Sequence, residues 1–192
     1  MNCIIERPSA EFHRMKCVNC GQTAFMKKLV LVRHAKSDWS MGLDDHQRRL
    51  SSRGLSDAAL VAPKVAVLAG SAPVIWSSSA KRALSTARIF AAKWGLSPDS
   101  ISVRDDLYTF DHTQLESVIS QVPDQLETVF IFGHNEAITD FVNKFGNIYI
   151  DNVPTSGVVE LLLPTDSWRR LVRGTTGTVI FPKDLKHGQP DL

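Results

Sequence analysis

Residues 29–39 read LVLVRHAKSDW, four aliphatic residues followed at once by Arg33 and His34. An unbroken apolar run, without polar alternation, marks a strand covered on both faces. Such strands belong to layered α/β domains. There, ligands bind beyond the carboxyl ends of the strands, where neighbouring loops diverge and helix N-termini point inward. A buried strand ending in two groups that are costly to bury therefore reads as a mount, holding Arg33 and His34 where the sheet opens.

The pattern repeats outward from this stretch. Further strands are expected at 74–76, 101–103, 129–132, 158–163 and 178–181, with helical periodicity between them. A helix over 55–68 should begin after Gly54, with Pro63 kinking it or ending its first part. Residues 81–94, with Leu84, Ala87, Ala91 and Trp94 on one face, form a cleaner helix stopped by Gly95. Two more are expected at 114–122 and 136–145, the latter closed by Gly146. The alternation predicts an α/β layered domain in which the first and fourth strands are central. The last quarter lacks long helices between its strands, which predicts a mixed sheet with an antiparallel edge.

With 192 residues, 43% hydrophobic and 22% charged, the chain suffices for one domain, expected at 27–192 after an N-terminal extension, 1–26, expected to be disordered. Met26 followed by Lys27 and Lys28 would serve as a natural start. The net charge of +2 is too mild to imply a nucleic-acid partner. No apolar stretch approaches the roughly 20 residues needed to cross a bilayer, and no signal-like apolar centre precedes the first strand. The expectation is a soluble, cytoplasmic protein without a membrane partner; oligomeric state is open. Cys3, Cys17 and Cys20 all lie in the extension. Cys17 and Cys20 resemble half of a zinc knuckle that Cys3 and His13 would complete, but the second paired motif is missing, so no metal is expected.

Three strand ends carry chemistry. Arg33 and His34 follow the first strand; Ser77-Ser78-Ser79-Ala80-Lys81-Arg82 follows the second, with Arg82 in the first turn of a helix; Gly133-His134-Asn135-Glu136 follows the fourth. If these strands are neighbours, two arginines and two histidines converge on a cationic pocket suited to an anion. The planar fork of an arginine matches phosphate oxygens, and nearby positive charge disfavours protonation of a histidine, leaving it nucleophilic.

Four motifs in this order, Arg33-His34-Ala35, Asp45 to Gly54, Ser77 to Ala87 and Gly133-His134-Asn135, resemble the histidine phosphatase (phosphoglycerate mutase-like) superfamily. The branch they look most like is that of the SixA-type phosphohistidine phosphatases. The resemblance runs from Lys28 to the C-terminus. It implies a three-layer α/β/α sandwich with a mostly parallel sheet and one antiparallel strand. It further implies a phosphatase without cofactor or metal, in which His34 forms a phosphohistidine intermediate while Arg33, Arg82 and His134 bind the phosphoryl oxygens. Many members add a general acid near the segment Arg104 to Asp111; Asp106 and Asp111 are the candidates here.

The SixA-like branch lacks a convincing acid at that place, and the labile P–N bond of phosphohistidine needs less acid help than an ester. The short connection between His34 and Arg82 leaves the site uncapped, able to admit a phosphorylated side chain of another protein. The expected partner is thus a phosphorylated protein or a small phosphorylated substrate. The alternatives are a broad phosphomonoesterase and a non-catalytic phosphate-binding module. His13, His46, His112 and His187 read as surface or core histidines, Trp39 as a pocket wall, Arg48-Arg49 as a solvated face, and Asp105-Asp106 as a turn.

Overall fold

The computed structural model describes residues 15–16, 23–40, 42–70 and 73–186. Most of the extension, including Cys3, His13, Cys17 and Cys20, and also His187, lies outside the described residues. Within the extension, β1 (Met15–Lys16) pairs antiparallel with β2 (Thr23–Ala24).

The main sheet has six strands: β3 (Lys27–Arg33), β4 (Val74–Ser78), β5 (Ile101–Arg104), β6 (Thr128–Gly133), β7 (Val158–Leu163) and β8 (Thr175–Ile180). Their spatial order is β5-β4-β6-β3-β7-β8. β3 and β6 are the two central strands, as their apolar runs predict, and they pair in parallel from Lys28 opposite Thr128 to Arg33 opposite Gly133. β4 runs parallel to both β6 and β5. The expected antiparallel edge is present: β7 pairs antiparallel with both β3 and the edge strand β8. The edge strand β8 reverses again, because a short connection from β7 allows only an antiparallel return.

Alternation along β3 sends Leu29 and Leu31 to one face and Val30 and Val32 to the other. The first face is covered by α4 (His112–Ile119) and α5 (Ala137–Phe145), through Leu115, Ile119, Ile138 and Phe141. The second is covered by α1 (Ser52–Val61), α2 (Ala66–Ala69), α3 (Lys81–Lys93) and α6 (Pro182–Lys186). The three-layer α/β/α sandwich follows directly.

Helix α1 begins before Gly54 rather than after it. Ser51 is the N-cap, its Oγ accepting from the Gly54 amide at 3.1 Å. Gly54 is there for space: a Cβ would stand 2.1 Å from the Lys36 carbonyl oxygen. That carbonyl also accepts from the Ser51 amide at 2.9 Å and the Ser51 hydroxyl at 3.1 Å, so α1 is latched to the segment just after His34. Pro63 breaks the helical run as expected, through a 3-10 segment at Ala62–Val65 that separates α1 from α2. α3 stops where Gly95 takes a left-handed φ of +74°.

Candidate active site

The order β4-β6-β3 places three strand ends side by side. The His34 amide donates to the Gly133 carbonyl at 3.0 Å, tying the first and fourth motifs together. Arg82 follows β4 in the first turn of α3, and His134 precedes α5. The structure brings all four predicted groups, Arg33, His34, Arg82 and His134, to one cluster at the C-terminal ends of these strands. The two imidazole centroids lie 5.2 Å apart.

Hydrogen bonds fix the imidazole tautomers. His34 Nδ1 lies 2.8 Å from the Ala35 carbonyl oxygen and must donate to it, while Nε2 accepts from Arg82 Nε at 3.2 Å. The ring's lone pair is therefore on Nε2, where the Arg82 hydrogen bond engages it. His134 Nδ1 accepts from Arg82 Nη2 at 3.2 Å, so its Nε2 carries the hydrogen and donates to Ser78 Oγ at 2.8 Å. Both rings are buried. Burial, reinforced by the charges of Arg82, Arg33 and Arg48, pushes the His34 pKa down to about 3. Burial, with His34 and Arg82 as neighbours, pushes His134 down to about 2. Both imidazoles are neutral at physiological pH.

Arg33 is held from the far side of the sheet. Its Nη1 donates to Asn152 Oδ1 at 3.1 Å and to the Val153 carbonyl at 2.6 Å. Asn152 Oδ1 also accepts from Asn135 Nδ2 at 3.0 Å, which links the clamp to the residue after His134. Arg33 Nε is a buried donor without a protein partner. So is Ser156 Oγ, in a residue at φ 62° whose amide donates to the Arg33 and His34 carbonyls. Buried donors are ordinarily paired, so orphaned ones in a cationic cluster are what a site built for an anion would contain.

Arg82 is buried to 1% exposure. Its Nη2 donates to Asp45 Oδ2 at 2.9 Å and its Nη1 to the Asp45 main-chain carbonyl. The same carboxylate accepts from Arg48 Nε at 3.1 Å and from the Tyr108 hydroxyl. Burial opposes ionisation of Asp45, but hydrogen bonds from Tyr108 and Arg48 and the charge of Arg82 win, holding the carboxyl well below the usual carboxylate range.

The two candidate acids lie elsewhere. Asp106 pairs with Arg104 (Nε to Oδ1, 2.9 Å), whose guanidinium lies over Trp76 at 4.4 Å, and the Arg104 hydrogen bond lowers its pKa. Asp111 caps α4, its carboxylate accepting from the Thr113 and Gln114 amides. Neither contacts the four clustered groups among the described hydrogen bonds. The segment between them delivers aromatics instead: Tyr108 and Phe110 stand 5.3 Å and 5.4 Å from the His134 ring. Asp105–Leu107 is a 3-10 turn, as expected for the paired aspartates.

Several residues read as bland from sequence belong to the site. Arg48 is buried rather than solvated: besides Asp45 it donates to Ser37 Oγ at 2.7 Å, and Trp39 lies over its guanidinium at 3.6 Å. Trp39, 70% exposed, thus roofs Arg48. His46 is hydrogen-bonded to Ser79 Oγ at 3.0 Å and meets Tyr108 edge to face. The spacing Asp45–Arg48, three residues apart across one turn, was the available signal that these two charges pair.

This fold and this cluster of two histidines and two arginines at the ends of β3, β4 and β6 define a class. Residues 29–138 match the model of the histidine phosphatase superfamily, branch 1, and the chain belongs to that family. It is 32% identical over 126 residues to an uncharacterized protein of Arabidopsis thaliana described as chloroplastic, an alignment spanning 59% of this chain and 56% of that one. The chain thus spans little more than half the length of this curated relative. A candidate SixA phosphohistidine phosphatase of Agrobacterium tumefaciens superposes with a TM-score of 0.61 at 25% identity, covering 70% of this chain and 90% of that one. The protein histidine phosphatase SixA complexed with tungstate reaches a TM-score of 0.69 at 17% identity, covering 82% and 99%. No helix among the described residues is long and apolar enough to cross a membrane.

Proposed function

We propose that this protein is a phosphatase that works through a phosphohistidine intermediate on His34, and that its substrate is phosphohistidine on another protein. The observation that carries the reading is the His34 tautomer. Nδ1 is committed to the Ala35 carbonyl, so a neutral Nε2 lone pair faces the Arg82 guanidinium. In the first step that lone pair attacks phosphorus and the bond to the leaving nitrogen or oxygen breaks, the leaving group keeping the electron pair and taking a proton from solvent. Water then attacks the phosphoryl group and loses a proton, the P–N bond breaks, the electrons return to Nε2 and inorganic phosphate departs. Arg33 and Arg82 supply donors for the phosphoryl oxygens, where charge stabilisation contributes most of the catalysis, while His134, whose Nε2 hydrogen goes to Ser78, holds Arg82 Nη2 beside them.

The substrate class follows from what surrounds the donors. The carboxylate beside them, Asp45, is held ionised, and Asp106 and Asp111 are engaged elsewhere. A site without a ready proton donor favours a leaving group that departs without one, as imidazole does better than an alkoxide. The likeness to the candidate SixA of A. tumefaciens supports the same choice.

The test is to offer a phosphohistidine-bearing protein and a panel of phosphate esters to wild type and His34→Ala, and to trap acid-labile phosphate on the enzyme. Faster turnover of phosphohistidine, with label confined to His34, is expected. Turnover surviving His34→Ala would defeat the mechanism. Faster hydrolysis of esters would make the protein a general phosphomonoesterase, and binding without turnover a phosphate-binding module.

A further inference from the structure

Arg82 has two edges, and only one of them faces the imidazoles. Its Nε and Nη2 reach His34 Nε2 and His134 Nδ1, each at 3.2 Å. Its Nη1 and Nη2 are held from behind by the main-chain carbonyl and Oδ2 of Asp45. We propose that Asp45 is the positioning residue of the phosphate clamp: it fixes the Arg82 guanidinium so that the edge between His34 and His134 is presented to the phosphoryl group. The inference rests on the phosphatase reading above and goes beyond it by assigning a carboxylate to which no part in the two chemical steps has been given.

The argument is geometric. A guanidinium on a flexible stem gives its full electrostatic benefit only if it is already oriented when charge develops on the phosphoryl oxygens. Asp45 is itself fixed by two further donors, Arg48 Nε at 3.1 Å and the Tyr108 hydroxyl. Arg48 is anchored in turn to Ser37 Oγ at 2.7 Å, three residues beyond His34. A chain of charge-assisted hydrogen bonds therefore runs from the His34 segment through Arg48 and Asp45 to Arg82, and back to His34 Nε2. Removing the carboxylate opens this ring at its centre. A carboxylate that accepts from three side chains and stays ionised acts through its partners and has no proton to give.

The test compares Asp45→Ala and Asp45→Asn with wild type on phenyl phosphate and 4-nitrophenyl phosphate, whose leaving groups differ in basicity, with tungstate affinity measured by calorimetry. For Asp45→Ala, kcat should fall about 100-fold, the cost of a misplaced catalytic group, equally on both esters and without change in the shape of the pH profile. Tungstate should bind about tenfold more weakly, the loss of one well-oriented charge-assisted hydrogen bond from Arg82. Asp45→Asn, which keeps an acceptor, should recover most of kcat. A larger loss on phenyl phosphate, or loss of one limb of the pH profile, would assign Asp45 to proton transfer and overturn the proposal; so would a kcat within twofold of wild type in the alanine variant. If wild type itself turns over neither ester nor acquires label on His34, the phosphatase reading has failed instead. In that case tungstate binding by Asp45→Ala as tight as by wild type would also sink the positioning role.

Discussion

The two buried imidazoles make folding stability sensitive to mild acid, and the size of the effect can be worked from their environment. An unfolded histidine takes up a proton near pH 6.5, whereas His34 resists until about 3 and His134 until about 2. Above pH 6.5 both states are neutral and the pair is fully accommodated. As pH falls below 6.5 the unfolded state alone binds protons, so stability declines until the folded pKa values are reached. Between pH 7.5 and 5 each imidazole should cost about 2 kcal/mol, the product of 1.5 pH units below 6.5 and about 1.4 kcal/mol per unit. The carboxylates lie outside this window, because Asp45, whose pKa is lowered, loses its contribution only below its unfolded value near 3.8. Urea unfolding at pH 7.5, 6.0 and 5.0 measures the decline. His34→Asn, which cannot titrate, should remove about half of the part due to the pair, and saturating tungstate should flatten the curve by favouring protonation of the rings. A wild-type decline below about 1 kcal/mol, or one that His34→Asn leaves unchanged, would refute the reasoning.

Gly54→Ala should destabilise the fold by about 1–3 kcal/mol, since the new Cβ would meet the Lys36 carbonyl oxygen at 2.1 Å; a thermal melt would show it. Asp111→Ala should cost about 1 kcal/mol in the same assay through the lost α4 cap, while kcat stays within about threefold of wild type. Asp106→Asn should likewise keep its kcat, because Asp106 serves Arg104 rather than the cluster. Because both imidazoles are neutral well into acid, kcat/KM should show no ionisation of His34 or His134 between pH 5 and 7 once the substrate's own titration is divided out; an enzyme pKa near 6.5 that vanishes in His134→Gln would contradict this for His134.

The sheet and the four clustered groups were legible because each is carried by a local signal. Unbroken apolar runs identify β3 and β6 as central, and adjacency of their ends then forces Arg33 and His134 together. The helix start at Ser51 was missed because Gly54 reads as a breaker, when its role is to admit the Lys36 carbonyl, a contact made 18 residues back in the chain.

The acid question turns on the same distinction between local and distant partners. A search for a carboxylate in the segment after β5 finds Asp106 and Asp111, but local partners claim both, an arginine two residues away and the amides of an adjoining helix. Asp45 reaches the site only because Arg82, 37 residues on, and Tyr108, 63 residues on, fold back to it. Its proximity does not make it an acid, since the donors that bring it there also keep it ionised. The pocket thus carries the charge of three arginines, Arg33, Arg48 and Arg82, against one carboxylate. That leaves a balance of two positive charges to face a phosphoryl dianion, and two neutral imidazoles between them.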